Sequence, residues 1–223
     1  MNVVVTREAG FNGDLVEWIG GAGDVVEAPL TTTDYRDVEE VAREIGVAAP
    51  YASLVVTSAR ARRYVAASRA ALEEGASVFA VGPATAAMLA DEGVSVDAAS
   101  GAGALELVDR VSRGPVLMVG ARESRDELPA RLTARGLDVV RVAAYDTVAL
   151  DVDDGTAWVL ARADVVVVAA PSAWSVARTY VSSATWIVVP GETTAAAVRR
   201  DHARVVIAWG DELAATLAAL EAS

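Results

Sequence analysis

The sequence predicts an α/β protein with doubly wound parallel sheets. Three observations support this class: short β-branched runs alternate with alanine-rich stretches, each run is apolar on consecutive residues, and the order of runs repeats along the chain. Strands that are apolar throughout are typical of parallel sheets with helices on both faces. Strands and helices are therefore expected to alternate along the whole chain.

The strands are predicted from runs rich in valine, isoleucine and leucine that end on small or turn residues. In chain order they cover residues 3–7, 25–29, 54–58, 78–82, 94–99, 116–120, 139–145, 165–170, 186–191 and 205–210. Two amphipathic stretches predict helices that end on Gly75 and Gly136, because glycine commonly follows the last turn of a helix. Pro129, in the second stretch, is compatible with a helix only in its first turn.

The repeat has the order A-B-A′-B′. Segment B, with LVVTSARARRYV and AVGPATAAMLADEGVSV, is echoed in B′ by VVVAAPSAWSVARTYV and VVPGETTAAAVRRDHARVV, and a weaker echo links segments A (3–30) and A′ (116–145). The stronger echo aligns two pairs of loop residues: Ser58 with Ser172, and Gly82 with Gly191. The residues leave open whether A folds with B or with B′, since both pairings give domains of about a hundred residues.

The composition excludes several kinds of chemistry. The chain has no cysteine and no lysine, so disulfides, thiolate catalysis, Schiff bases and a P-loop lysine are impossible. The only histidine, His202, lies among charged residues and is expected at the surface, which argues against a catalytic triad or a histidine metal site. No metal and no cofactor is expected.

The net charge and the hydropathy pattern indicate whether the chain binds nucleic acid or membranes and in which compartment it is located. The net charge is −12 and the arginines are scattered, which disfavours binding to nucleic acid. No apolar run approaches the roughly 20 residues of a membrane span, and the N-terminus lacks the pattern of a signal peptide. The chain is expected to be cytoplasmic, with no nucleic-acid or membrane partner.

Two loops with the pattern Gly-x-x-Thr pass from a strand into a helix, at Gly82–Thr85 and at residues 191–194. Glycine lets backbone approach a ligand, and the start of a helix presents free N–H groups, so both loops suit carboxylates or phosphates. The alternative is a threonine N-cap that binds nothing. The matching positions of the two loops favour a shared role in anion binding.

Further polar residues follow strand ends. Ser58 and Ser172 begin predicted helices, either as caps or as donors to a carboxylate. Arg7, Arg122 and Arg125 follow strands and can supply charge-assisted hydrogen bonds. The neighbouring arginines of segment B are expected to include solvated residues of a helix face: Arg60, Arg62 and Arg63.

Taken together, these motifs resemble those of uroporphyrinogen-III synthases, nearly from end to end. The shared motifs are Thr-Ser-x-x-Ala after a strand, two Gly-x-x-Thr-Ala turns, Tyr-x-Thr near the return between domains, and an arginine ahead of a leucine helix. In this chain they begin at Thr57, Gly82, Gly191, Tyr145 and Arg125. The chain departs from the family pattern at Arg199–His202, where a glycine is common, and at Pro190.

The resemblance implies two flavodoxin-like domains joined by two extended linkers, with A paired to B′ and B to A′. Domain 1 would then comprise residues 1–30 and 150–223, and domain 2 residues 36–145, with linkers 31–35 and 146–149. It also implies a monomeric, cofactor-free enzyme. Hydroxymethylbilane loses its terminal hydroxyl as water, and the terminal pyrrole ring is inverted as the macrocycle closes. The upstream hydroxymethylbilane synthase is a possible transient partner.

The expected site lies at the carboxyl ends of the strands, where ligands gather in open parallel sheets. Tyr145 is the candidate proton donor to the departing hydroxyl, and the alternative is a hinge tyrosine that serves only packing. The candidate substrate-binding residues are Arg7, Ser58, Ala59, Gly82, Thr85, Gly120, Arg122, Arg125, Ser172, Gly191, Thr193 and Thr194.

Two other functions remain open from the sequence. One is a non-catalytic two-domain module that binds a small anion or has a regulatory role on the same scaffold. The other is a phosphosugar- or nucleotide-dependent enzyme, against which the missing lysine and the missing Gly-x-Gly-x-x-Gly fingerprint both count.

Overall fold

Strands and helices alternate along the computed structural model, which describes residues 1–101, 103–124 and 126–222. The strands belong to two sheets. The chain divides into unit 1, Met1–Thr32 with Thr147–Ser223, and unit 2, Thr33–Asp146. The predicted α/β class with two parallel sheets is confirmed.

The strands are short and mostly buried. In chain order they are β1 (Asn2–Val5), β2 (Asp24–Glu27), β3 (Thr31–Tyr35), β4 (Tyr51–Val56), β5 (Leu72–Val81), β6 (Ala98–Ser100), β7 (Val116–Ala121), β8 (Val139–Ala149), β9 (Val165–Val167), β10 (Trp186–Val189) and β11 (Val205–Ile207).

The helices connect these strands. They are α1 (Gly13–Ile19), α2 (Val38–Gly46), α3 (Val65–Ala70), α4 (Pro83–Asp91), α5 (Glu127–Ala134), α6 (Asp154–Ala161), α7 (Pro171–Ala177), α8 (Glu192–Val198) and α9 (Glu212–Glu221), with 3₁₀ helices at Ala59–Tyr64 and Ala104–Leu107. Within the described ranges, no helix has the length and apolarity that a membrane span requires.

The two sheets have related strand orders. The unit 1 sheet runs β2-β1-β9-β10-β11, and its strands are parallel. The other sheet runs β3-β8-β7-β4-β5-β6, so its last five strands follow the same plan with β8 and β7 in place of β2 and β1. Segment A therefore shares a sheet with B′, and B with A′, which is the pairing that the family resemblance implies.

Valines on alternate positions of a strand are buried on opposite faces of each sheet. In unit 1, Val3 and Val5 pack with Leu15 of α1 and Leu213 of α9, whereas Val4 packs on the other face with helices α6, α7 and α8. Unit 2 has two corresponding clusters, one under α2 and α4 and one under α5. Burial on both faces explains why the strands are apolar throughout.

Two expectations about element limits are wrong. The helix expected to end on Gly75 ends at Ala70, and the following residues join β5, because Leu72 pairs with Tyr51 of β4. The strand expected at 94–99 is reduced to β6, since Val94 N–H still bonds to Leu89 O at the end of α4. The helix expected to end on Gly136 is α5, and its Pro129 lies in the first turn.

Aromatic residues are divided unequally. All five tryptophans belong to unit 1, and four of the five tyrosines belong to unit 2. Tryptophan fluorescence therefore follows unit 1 selectively.

Candidate active site

Each sheet has one place where the strand order reverses, between β1 and β9 in unit 1 and between β7 and β4 in unit 2. The loops that leave two such strands diverge to opposite faces, which opens a crevice at the carboxyl ends of the strands. The candidate residues lie on these loops and on the loops that follow β5 and β10.

Ser58 follows β4 in unit 2 and caps the 3₁₀ helix that begins with Ala59. Its Oγ accepts a hydrogen bond from Arg60 N–H at 3.3 Å. The predicted capping role is thus present. An oxygen that accepts this bond can still donate its own proton elsewhere.

Gly82 forms the turn from β5 into α4. Its φ of 85° and ψ of 157° lie in a region that only glycine adopts readily, and its N–H donates to Ser100 Oγ at 3.2 Å. Thr85 is buried at the third position of α4, so glycine and not threonine occupies the cap position. The threonine N-cap considered as an alternative is therefore wrong for this loop.

Gly120 on β7 is required by packing. A Cβ atom at this position would lie 2.6 Å from Thr57 Oγ1. A pocket of about 220 Å³ opens beside it, and its lining includes Arg122, Ser124 and Arg141. Hydroxyl and guanidinium groups on one pocket wall suit a carboxylate.

The loop after β7 is joined to the end of β8 by two bonds. Arg122 N–H donates to Tyr145 O at 2.9 Å, and Arg122 Nε donates to Asp146 Oδ2 at 3.0 Å. Arg141 donates to Ser124 Oγ at 2.7 Å and pairs with Asp126. Arg125 lies outside the described residues.

The Tyr145 side chain is 3% exposed, and its ring lies 6.0 Å from that of Tyr35. Burial raises the pKa of the phenol above its ordinary value, and a hydrogen bond with Ser58, the charge of Arg60 and a backbone bond with Ala121 act in the opposite direction. The phenol therefore stays protonated at neutral pH, with donors and a positive charge beside its oxygen.

The corresponding loops of unit 1 differ in charge. Arg7 NH1 binds both carboxylate oxygens of Asp14, at 2.7 and 2.9 Å, so the predicted anion-binding arginine already has an acidic partner. Ser172 is the second residue of α7, behind Pro171, and it is exposed. The expectation that Ser172 begins its helix as a cap is wrong, because Ala170 occupies the cap position.

The second Gly-x-x-Thr loop repeats the first in outline. Gly191 caps α8 in extended backbone, with φ of 178°, and Thr194 is buried at the third helical position as Thr85 is. Thr193 is exposed. The first residue of α8 is acidic. This residue, Glu192, pairs with Arg199 at the end of the same helix at 2.6 Å. Threonine is not the cap in this loop either.

His202 is half-buried, and this differs from the surface position expected for it. Its Nε2 lies 2.8 Å from Thr185 O, and its ring contacts Trp174 at 5.6 Å. Across the described ranges, no three His, Asp or Glu side chains are grouped so that they could hold a metal ion.

Four residues near the phenol were missed from the sequence as site candidates. They are Tyr35, Arg60, Arg63 and Tyr64. Arg60 and Arg63 were expected to include solvated residues, and Arg63 is exposed, but its guanidinium covers the Tyr35 ring at 4.1 Å. The Thr-Ser-x-x-Ala motif marks this segment in the sequence, but Arg60 occupies one of its variable positions, so the motif does not predict a role for Arg60.

A model of a protein family, described as "Uroporphyrinogen-III synthase HemD", matches residues 19–217. No curated protein sequence gives a significant match. The family model thus covers most of the chain, and with it both units.

Solved structures match over the full length. The uroporphyrinogen-III synthetase of Helicobacter pylori has a TM-score of 0.68 at 17% identity, covering 100% of this chain and 99% of that one. A mutant uroporphyrinogen III synthase of the extremely thermophilic bacterium Thermus thermophilus has a TM-score of 0.62 at 16% identity, covering 100% and 98%. At such identities the structural likeness concerns the fold.

Proposed function

The chain belongs to the uroporphyrinogen-III synthase family, and we propose that it converts hydroxymethylbilane to uroporphyrinogen III with loss of water and inversion of the terminal pyrrole ring. The observation that carries this proposal is the family match over residues 19–217. The family predicted from the sequence motifs, and the enzyme class of hydro-lyases, are confirmed.

The chemistry suits a site without a cofactor. Hydroxymethylbilane loses hydroxide spontaneously in water and then closes without inversion, so the protein mainly has to hold the substrate in the fold that leads to the other isomer. The substrate's many carboxylates need local donors, because the chain as a whole has a net charge of −12. The start of α4, Thr85 and Arg122 can supply them in unit 2.

Tyr145 is the proposed proton donor to the departing hydroxyl. Its raised pKa keeps the proton on the phenol at neutral pH, and the neighbouring donors can stabilise the anion that remains. Because the phenol is buried within unit 2, the transfer requires the hydroxymethyl group to come within hydrogen-bond distance of a buried oxygen.

The remaining proposals concern the cellular location, the oligomeric state and the source of the substrate. We place the enzyme in the cytoplasm as a monomer that receives hydroxymethylbilane from the upstream synthase. A chain without cysteine forms no disulfide and needs no oxidising compartment to fold.

The product isomer ratio tests the function directly. Purified protein treated with a chelator should turn hydroxymethylbilane mainly into the type III isomer, whereas buffer alone gives the type I isomer. The measurement is chromatographic separation of the oxidised products. Type I product at the rate of the buffer control would show a non-catalytic relative, and activity lost on chelation and restored by a metal would contradict the cofactor-free reaction.

A further inference from the structure

Arg60, in the 3₁₀ helix that follows β4, is anchored to strand β3. Its Nε donates to Thr33 Oγ1 of β3 at 2.9 Å, and its backbone N–H is held by Ser58 Oγ. The side chain is half-buried. A guanidinium that is anchored in this way keeps its charge near one place on the neighbouring strand.

The backbone that leads into Tyr145 is fixed as well. Tyr64 is fully buried, and its hydroxyl lies 2.7 Å from Ala144 O and 2.8 Å from Arg36 O. Arg36 N–H also donates to Ala144 O at 3.1 Å. The Ala144 carbonyl thus accepts from Arg36 N–H and lies within reach of the single Tyr64 proton, which it shares with Arg36 O, and this limits how far the phenol can move.

Each element around the phenol contributes a polar or charged group. Strand β3 brings the Tyr35 ring, over which the Arg63 guanidinium lies, and β7 brings the Ala121 backbone. Asp146, the adjacent carboxylate on β8, is paired with Arg122. Besides the Ala121 backbone, the groups that favour the phenolate and so lower the pKa of Tyr145 are Ser58 and Arg60, both from the segment that follows β4.

We propose that Arg60 is a positioning residue which, together with Ser58, stabilises the phenolate left on Tyr145 after proton transfer to the departing hydroxyl. This inference rests on the proposed function, because it assigns Arg60 a part in the same step. It gives Ser58 a role toward Tyr145 in place of a contact with the substrate.

The step is balanced in atoms and charge. The bond from the hydroxymethyl carbon to oxygen breaks with its electron pair on oxygen, the phenol proton moves to that oxygen, and water leaves. The pyrrole nitrogen supplies electrons to the carbon, so positive charge develops on the substrate and negative charge on the Tyr145 oxygen. Ring closure later releases one proton, which restores the phenol.

The test uses three variants of the 3₁₀ helix. R60M removes the charge, R60K keeps it, and R62M is the matched control, because Arg62 pairs with Asp91 and Glu92 on the surface. R60M should lower kcat about tenfold with little change in KM, as one part of a general-acid contribution of roughly 10²–10⁴. R60K should retain most of the turnover, and R62M should match the wild type.

A second measurement does not depend on activity. The near-ultraviolet tyrosinate band of the wild type minus that of Y145F isolates the titration of Tyr145. The same difference taken in the R60M background should move to higher pH, because a positive charge favours the phenolate. In the activity assay, the alkaline limb of kcat should move in the same direction.

The two measurements separate the possible failures. An unshifted titration, or equal kcat in R60M and R62M, would overturn the role of Arg60. Absence of type III product from every protein would overturn the proposed function, and the titration would still decide whether Arg60 acts on Tyr145.

Discussion

Units 1 and 2 follow one strand plan, but the loops at corresponding places carry different charges. After β1, Arg7 is paired with Asp14, and α8 opens with Glu192. At the corresponding places in unit 2, Arg122 is likewise paired with Asp146, but α4 opens with Pro83 and has no acidic residue in its first turn. The repeat has preserved the order of the strands, whereas the first turns of α4 and α8 differ in charge, so we expect unit 2 to carry the chemistry and most of the affinity for carboxylates.

Removal of the Tyr145 hydroxyl should have the largest effect. Tyr145→Phe is expected to lower turnover by up to roughly 10²–10⁴, the usual contribution of a general acid. Type III product should still dominate, because hydroxide also leaves spontaneously and the fold of the bound substrate decides the isomer. The measurement is initial rate together with the isomer ratio.

Tyr180→Phe, in unit 1, is the control for loss of a tyrosine hydroxyl. If the Tyr145→Phe protein keeps full turnover and an unchanged melting temperature, this tyrosine serves only packing. The assignment of the chemistry to unit 2 would then be wrong.

The two loop glycines give a matched pair for stability. Gly82→Ala should reduce the free energy of unfolding by roughly 1–3 kcal/mol, because alanine at a φ of 85° and a ψ of 157° is strained although there is space for its Cβ. Gly191→Ala should change it by less than about 0.5 kcal/mol, because extended backbone accepts any residue. Urea unfolding measures both.

Tryptophan fluorescence follows the Gly191 variant in unit 1, and circular dichroism follows both variants. If both variants lose the same free energy of unfolding, the different backbone conformations of Gly82 and Gly191 do not determine the cost of a side chain.

The buried threonines test the difference in affinity. Thr85→Ala should raise KM about tenfold, since a hydrogen bond to a charged group contributes ~1.5–3 kcal/mol. Thr194→Ala should raise it only about threefold, because Glu192 beside it repels a carboxylate. KM for hydroxymethylbilane is the measurement.

Glu192→Gln sharpens this comparison. In that background the effect of Thr194→Ala should approach the effect of Thr85→Ala. Glu221→Gln, which removes a carboxylate paired with the N-terminus, is the control for a change in net charge. If Thr194→Ala raises KM by the same factor with and without Glu192→Gln, repulsion by Glu192 does not explain the weaker effect at Thr194.

The sequence predicts elements well where local pattern and tertiary environment agree. The strands of valines were found because burial on both faces requires continuous apolar residues, and the end of α5 was found because Gly136 has a φ of 85°. The limit at Gly75 was missed, because Leu72 and the residues after it suit a helix locally but pair with β4 in the sheet. Pairing between distant residues outweighs local preference in such cases.

The candidate site divides in a similar way. The Ser58 cap could be predicted from a serine at the start of a helix, whereas Ser172 fails as a cap because Pro171 shifts the helix start. The contact of Ser58 with Tyr145 joins residues far apart in the chain, and no local pattern predicts it. The Asp14 partner of Arg7 is only seven residues away and could have been anticipated as an acid in the first turn of α1.

The chain order of the two units also affects biosynthesis. Unit 2 is one continuous segment, so it can fold as soon as its last residue leaves the ribosome, whereas β1 must wait for β9, as the bond from Thr6 Oγ1 to Val167 O spans 161 residues. At ~5–20 residues per second, β1 has only β2 as a partner for many seconds, and its other edge stays unpaired. The open edge of β1 is therefore a place where the nascent N-terminal segment can associate with other chains during translation.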